Sequence, residues 1–236
     1  MASEIKQGTL ELVNHLPILQ VITPMLIAPI LVVLNNKTLS WLLSFLGALA
    51  CLFISILLIQ AVSDGSILTY YLGGWVPPIG IEYRIDAANS ILLFLISIIS
   101  AIVLIFSYSS LHAEIPEEKH TLFYSCFLLC LTGLLGVVAT ADIFNVFVFL
   151  EISSLSTYVL VAQGAYLDRR ALSASFNYLI MGTIGATFFV IGIGYIYMAT
   201  GSLNMMDIAE RVNQLSDNRT IQAGFAFIVV GMGLKL

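Results

Sequence analysis

Residues 143–163 read Ile143-Phe-Asn-Val-Phe-Val-Phe-Leu-Glu151-Ile-Ser-Ser-Leu-Ser-Thr-Tyr158-Val-Leu-Val-Ala-Gln163, with a single charge among them. A membrane-spanning helix needs about 20 mainly apolar residues, and this run has that length. A transmembrane barrel strand would instead alternate polar and apolar residues over segments of about 10. The run therefore predicts a helix that crosses a bilayer with one carboxylate inside it.

The same pattern extends in both directions. Residues 12–36, 38–63, 87–113, 121–141, 171–206 and 220–234 contain no Asp, Glu, Lys or Arg. Each can hold most or all of a span, and none reads as strand. The helices are predicted at about 16–34, 39–62, 87–109, 122–139, 143–162, 171–199 and 221–236. The predicted fold class is an all-α integral membrane protein with about seven transmembrane helices, the last incomplete, forming a single domain over residues 1–236.

Composition agrees. The chain has 236 residues, of which 59% are hydrophobic and 10% charged; a soluble domain carries about 25% charged residues. The mean hydropathy is +1.01. Such a chain has too much apolar surface for a soluble enzyme and too much for a disordered one. Nucleic acid is excluded as a partner, because the net charge is −5 and 9 Lys and Arg are too few and scattered to track phosphates. The N-terminus, with Glu4, Lys6 and Glu11, reads as a retained first helix rather than a signal peptide. Pro17, Pro24 and Pro29 should kink that helix or mark an irregular start.

Between the runs lie two sizeable loops, residues 64–86 and 201–220. The first holds Gly73, Gly74, Trp75, Pro77, Pro78 and Gly80 and reads as a structured turn region. Trp75, Tyr70 and Tyr71 suit the bilayer interface. The second reads as a solvated connector, with a short amphipathic helix near residues 205–215 as the alternative. Positive charges divide evenly between the two sides; the Asp168-Arg169-Arg170 turn favours its own side as cytoplasmic. Cys51, Cys126 and Cys130 fall within spans and read as small buried apolar residues. His112 and His120 flank an acidic loop (Glu114, Glu117, Glu118), read as solvated rather than as a metal site. No metal site and no cofactor are expected.

Only two charged residues lie within the apolar runs: Glu151 and Lys235. An acidic side chain at mid-helix costs about 2.5–3.5 kcal/mol on insertion scales. Glu151 sits eight residues into its span, about 12 Å deep at 1.5 Å per residue. That is near the centre of a hydrocarbon core about 30 Å thick, too deep for its short stem to reach water. Ser154 and Tyr158 follow at i+3 and i+7 and extend a polar stripe on the same face. Lys235 lies about 21 Å along the seventh helix, just after Gly231 and Gly233, which permit close approach of a neighbour.

Intramembrane ionisable residues mark ion or proton pathways by default; the alternative is a structural ion pair that fixes helix register. Burial penalises the charged form of both groups, which suits groups that take up and release a proton. At a separation of about 8 Å and an effective dielectric of about 20, the two charges would attract by roughly 2 kcal/mol. Spacing alone does not bring them together.

At these residues the sequence resembles a known family. The stretch from Asp142 to Tyr158 is similar to the fifth helix of the antiporter-like membrane subunits, which comprise Mrp-type cation/proton antiporter subunits and the proton-pumping subunits of NADH:quinone oxidoreductase. The loop Gly73-Gly74-Trp75-Val-Pro77-Pro78-Ile-Gly80-Ile-Glu82-Tyr-Arg84-Ile-Asp86 resembles the segment before the family's third helix. Thr200-Gly201-Ser-Leu203-Asn204 resembles the turn after its sixth, and Gly233-Leu234-Lys235 its seventh-helix lysine. The D-type member of the Mrp antiporters is the nearest in flavour.

The resemblance implies that Glu151 and Lys235 are the acid and base of a proton half-channel, with Ser154 and Tyr158 supporting. It implies the N-terminal half of a fourteen-helix fold, so the chain reads as a fragment or half of a split subunit. Implied partners are other membrane subunits of a hetero-oligomeric complex, the lipid bilayer, protons and Na+, in a bacterial cytoplasmic membrane. The alternatives are a proton-pumping subunit of a respiratory NADH:quinone oxidoreductase or membrane hydrogenase complex, and a non-transporting structural membrane piece. No catalytic motif is present: there is no His-Glu-x-x-His, nucleophile elbow, Cys-x-x-Cys or dinucleotide fingerprint.

Overall fold

A computed structural model describes residues 2–215 and 218–235, with side chains from residue 14 onward. The side chains of Glu4, Lys6 and Glu11, and all of Leu236, lie outside the described residues. The chain runs through α1 (Ala2–Leu34), α2 (Lys37–Val62), β1 (Leu68–Tyr71), β2 (Glu82–Ile85), α3 (Ala87–Glu114) and α4 (His120–Ala139). It continues with α5 (Ile143–Gln163), α6 (Arg170–Thr200), α7 (Met205–Gln214) and α8 (Arg219–Lys235). Among the described residues, six helices are long and apolar enough to cross a membrane: α1 to α6. The expected seventh is α8, whose 17 described residues rise about 25 Å, less than the ~30 Å hydrocarbon core.

Side-chain oxygens start several of these helices. Asn36, Asp86, Asp142 and Asn204 each accept a backbone N–H from the first turn of α2, α3, α5 and α7. The three prolines do not interrupt α1, which runs unbroken through Pro17, Pro24 and Pro29. Neighbouring helices can satisfy the carbonyls that proline leaves free. Pro24 has no N–H for the Gln20 carbonyl, and the Cys51 thiol of α2 donates to that oxygen at 3.7 Å.

Helices α1 to α4 pack around one apolar core that includes Leu31, Leu58, Leu93, Leu104, Leu128 and Leu135, all fully buried. Helix α5 joins this group through α4. Gly133 and Gly136 on α4 leave room for the Phe149 and Ser153 backbone and the Phe149 ring, which an added Cβ would overlap. Helices α5, α6 and α8 then form a second group, with α6 and α8 in close antiparallel contact.

Loop 64–86 departs from the all-helical pattern. Strands β1 and β2 form an antiparallel hairpin in the register Leu68↔Ile85 to Tyr71↔Glu82. Gly73 and Gly74, at φ +65° and +76°, turn the chain at its tip. The ribbon is extended by the turn before α5: Tyr83 bridges Thr140, and the Ala141 N–H donates to the Glu82 carbonyl at 2.9 Å. Asp142 in turn bridges Asn204, so the entries to α3, α5 and α7 share one backbone ribbon. The loop after α6 is a helix rather than a connector, because Asn204 caps α7 and Ile208 is buried against the bundle.

Candidate functional site

Helix α5 presents two different faces. Asn145, Phe149, Ser153 and Ser156 are buried, with Phe149 and Ser153 against the α4 glycines. Phe147, Glu151, Ser154 and Tyr158 lie on the other face, which looks toward α6 and α8. The alternation follows from the 3.6-residue period, which makes residues 3, 4 and 7 apart neighbours on the helix surface.

The structure brings the two intramembrane charges together. Lys235 Nζ donates to Glu151 Oε1 at 2.5 Å and to Ser154 Oγ at 3.4 Å. Their side chains are 13% and 21% exposed, so the pair is largely enclosed. At about 4 Å and an effective dielectric of ~20, unit charges attract by about 4 kcal/mol. Removing each ion from water costs several kcal/mol after relaxation. The attraction offsets only part of that cost, and removing either partner would leave the other charge enclosed and unpaired.

An open pocket of about 230 Å³ lies beside the pair, lined by Phe147, Glu151, Thr183, Ala186, Thr187 and Val190, with Thr183 and Thr187 exposed. That is room for several waters, and the carboxylate faces it. Tyr158 is buried farther along the same stripe, its ring edge-on to Tyr178 with centroids 4.7 Å apart. Its hydroxyl fills the notch left by Gly182, in space that a Cβ there would need. Ser175 Oγ donates to the Tyr158 carbonyl at 2.7 Å and fixes α6 against this turn.

A second polar cluster, at the hairpin end, has no signature in the sequence. Glu82 is buried and accepts from Asn204 Nδ2 at 2.7 Å, across 122 residues of chain. Asp142 accepts the Asn145 N–H at 2.7 Å, and Asn145 Nδ2 donates to Thr140 Oγ1 at 3.1 Å. Burial pushes the Asp142 carboxyl above its usual range, against the Asn145 and Phe144 backbone N–H groups. Burial likewise pushes the Tyr83 hydroxyl up to about 12, opposed by the Asn145 side chain. In sequence Glu82 looks like an ordinary loop charge; its burial arises only when the hairpin pairs with residues 140–142.

At the opposite end, Lys37 at the start of α2 pairs with Glu117. Here His120 is buried, not solvated as expected, with its ring edge-on to His112 and Nε2 against the Ile115 carbonyl. Among the described residues, no group of three or more His, Cys, Asp or Glu could hold a metal ion.

Residues 140–236 match the family described as NADH:quinone oxidoreductase/Mrp antiporter, transmembrane. The chain is similar to antiporter-like membrane subunits. It is 39% identical over 225 residues to the N subunit of NADH-quinone oxidoreductase of Desulforudis audaxviator, covering 94% of this chain and 44% of that protein. It is 29% identical over 223 residues to the D-type Na(+)/H(+) antiporter subunit of Alkalihalophilus pseudofirmus, again covering 94% and 44%. Among solved structures, one chain of an archaeal respiratory membrane complex, the membrane-bound sulfane sulfur reductase, superimposes with a TM-score of 0.82. That chain is 31% identical, and the match covers 94% of this chain and 44% of that one. The chain thus spans about 44% of the length of the relatives it matches. Similarity to an N-type oxidoreductase subunit alongside a D-type antiporter one removes the special preference for the Mrp antiporters.

Proposed function

We propose that this chain is the proton-handling part of a cation/proton-translocating membrane subunit. In this reading Glu151 takes up and passes the proton, and Lys235 sets the carboxylate's affinity by moving toward or away from it. Ser154 and Tyr158 continue the polar stripe. The observation that carries the reading is the direct Glu151–Lys235 contact beside an open pocket of about 230 Å³ on the α5–α6 surface. Protonation of Glu151 removes the attraction that holds Lys235 beside it, so proton uptake and movement of the ammonium are coupled, as a proton-loading site requires.

The parent assembly belongs to this proposal as well. Both an NADH:quinone oxidoreductase and an Mrp-type antiporter fit the relatives, with neighbouring membrane subunits as partners and a bacterial cytoplasmic membrane as the setting. Na+ is the candidate exchanged cation for the antiporter case.

The test is proton flux in membrane vesicles carrying the assembled complex. Glu151→Gln should reduce flux at least tenfold without loss of assembly, and Glu151→Asp should retain part of it. Unchanged flux in Glu151→Gln would sink the role. A structural reading draws support from the tight α6–α8 packing; it predicts that replacing Glu151 and Lys235 together by apolar residues leaves assembly and flux intact.

A further inference from the structure

We propose that Gly185 on α6, with Gly231 opposite it on α8, is a positioning residue for the Glu151–Lys235 pair. It seats the aliphatic stem of Lys235 against the α6 backbone so that the ammonium reaches the carboxylate. The inference rests on the proton-handling reading above and adds a residue that carries no charge of its own.

Helices α6 and α8 meet backbone to backbone at two places. At Gly185, an added Cβ would stand 2.8 Å from the Gly231 carbonyl oxygen, 3.1 Å from Lys235 Cγ and 3.3 Å from Leu234 Cβ. At Gly192, it would stand 2.7 Å from the Gly224 carbonyl oxygen and 2.7 Å from Ile228 Cγ1. Carbon atoms in favourable contact sit about 3.5–4.0 Å apart, so neither site has room for a methyl group, and Gly192 is the tighter of the two. The two contacts are seven residues apart on each helix, about 10.5 Å. Only the Gly185 contact includes Lys235.

The geometry gives each glycine a separate consequence. A methyl group at residue 185 pushes α8 outward at the level of Lys235 and crowds the lysine stem at the same time. The ammonium then loses its 2.5 Å contact with Glu151. A methyl group at residue 192 pushes the same two helices apart two turns away. Gly194, with nothing within 4 Å of an added Cβ, provides a neutral substitution on the same helix.

Two measurements on the assembled complex test this. In the first, vesicle proton flux is normalised to assembled protein. Gly185→Ala should lower it tenfold or more, within the roughly 10²-fold that a ~1 Å misplacement can cost. Gly192→Ala should stay within about threefold of the parent, and Gly194→Ala should match it. The second is a thermal double-mutant cycle with Glu151→Gln. Gly185→Ala should lower Tm more in the parent than in the Glu151→Gln background, because its effect passes through the pair. Gly192→Ala should lower Tm equally in both.

Parallel flux losses for the two glycines, or additive Tm shifts for Gly185→Ala, overturn the proposal. Gly231→Ala attacks the same contact from α8, with its Cβ 2.7 Å from the Gly185 oxygen, and replaces Gly185→Ala if that variant does not assemble. If Glu151→Gln leaves flux intact, the functional reading fails on its own. The thermal cycle still decides whether Gly185 positions the pair.

Discussion

The two halves of the bundle are held together in different ways. Helices α1 to α4 interlock large side chains: Leu58, Leu104, Leu128 and Leu135 are fully buried, and the polar Gln20 sits among them, donating to Ser97 Oγ at 3.2 Å. Helices α5, α6 and α8 meet instead at glycines, where backbone approaches backbone and long polar side chains fill the gaps. Lipid tails are as apolar as leucine, so inside a membrane both designs depend on packing and hydrogen bonds rather than on water exclusion. The first half gains rigidity from interdigitation. The second gains close helix approach, which leaves place for a charged pair beside an open pocket. A scaffold and a working part therefore sit side by side in one chain.

Breaking the scaffold should give the largest stability effect. Leu128→Ala removes a fully buried leucine and should cost about 2 kcal/mol, the low end for this substitution because packing rather than hydration is lost. Thermal unfolding in detergent measures it. Flux per assembled complex should be unchanged, which separates the scaffold from the pair.

A smaller effect is expected where the halves join. Asp142→Ala deletes the α5 cap bond to Asn145, worth about 1 kcal/mol. The Asp142 carboxyl titrates above its usual value because it is buried. The stability linked to that shift is therefore fully present below the ordinary carboxylate value and is lost as pH rises through the raised one. A Tm–pH profile of Asp142→Asn should lack that component.

The smallest effect belongs to the exposed end of the scaffold, where Lys37 and Glu117 pair in open solvent. Exposed ion pairs are worth little and are screened by salt. Lys37→Gln should therefore shift Tm only slightly, and less in high salt than in low. A large shift would mean that the buried His120 nearby depends on this pair.

The membrane fold was legible because charges are rare and almost all of them fall between apolar runs, leaving Glu151 and Lys235 conspicuous. Their contact was not legible, since it is decided by which helices carry glycine at the crossing, and the glycines look alike in sequence. Gly185, Gly192 and Gly194 all sit in the same apolar run, yet only the first of them meets Lys235. The hairpin and the Glu82–Asn204 bond were hidden for a different reason. They join short stretches far apart in the chain, too brief to show a periodic pattern. Helix α7 is short and amphipathic, and its cap at Asn204 was the main local sign of it.

The backbone ribbon at the hairpin end has a mechanical consequence. It pins the start of α5 to β2 and to the turn before α7 through the Glu82 and Ala141 carbonyls, whereas the far end of α5 lies away from these strands. Asp142 is thus the fulcrum of any tilt of the helix, which its packing on α4 and the Ser175–Tyr158 bond restrain. Glu151 stands about 13.5 Å from that fulcrum, so a swing of about 5° would carry its carboxylate by about 1 Å. That is enough to part a hydrogen-bonded pair, and the fulcrum itself barely moves.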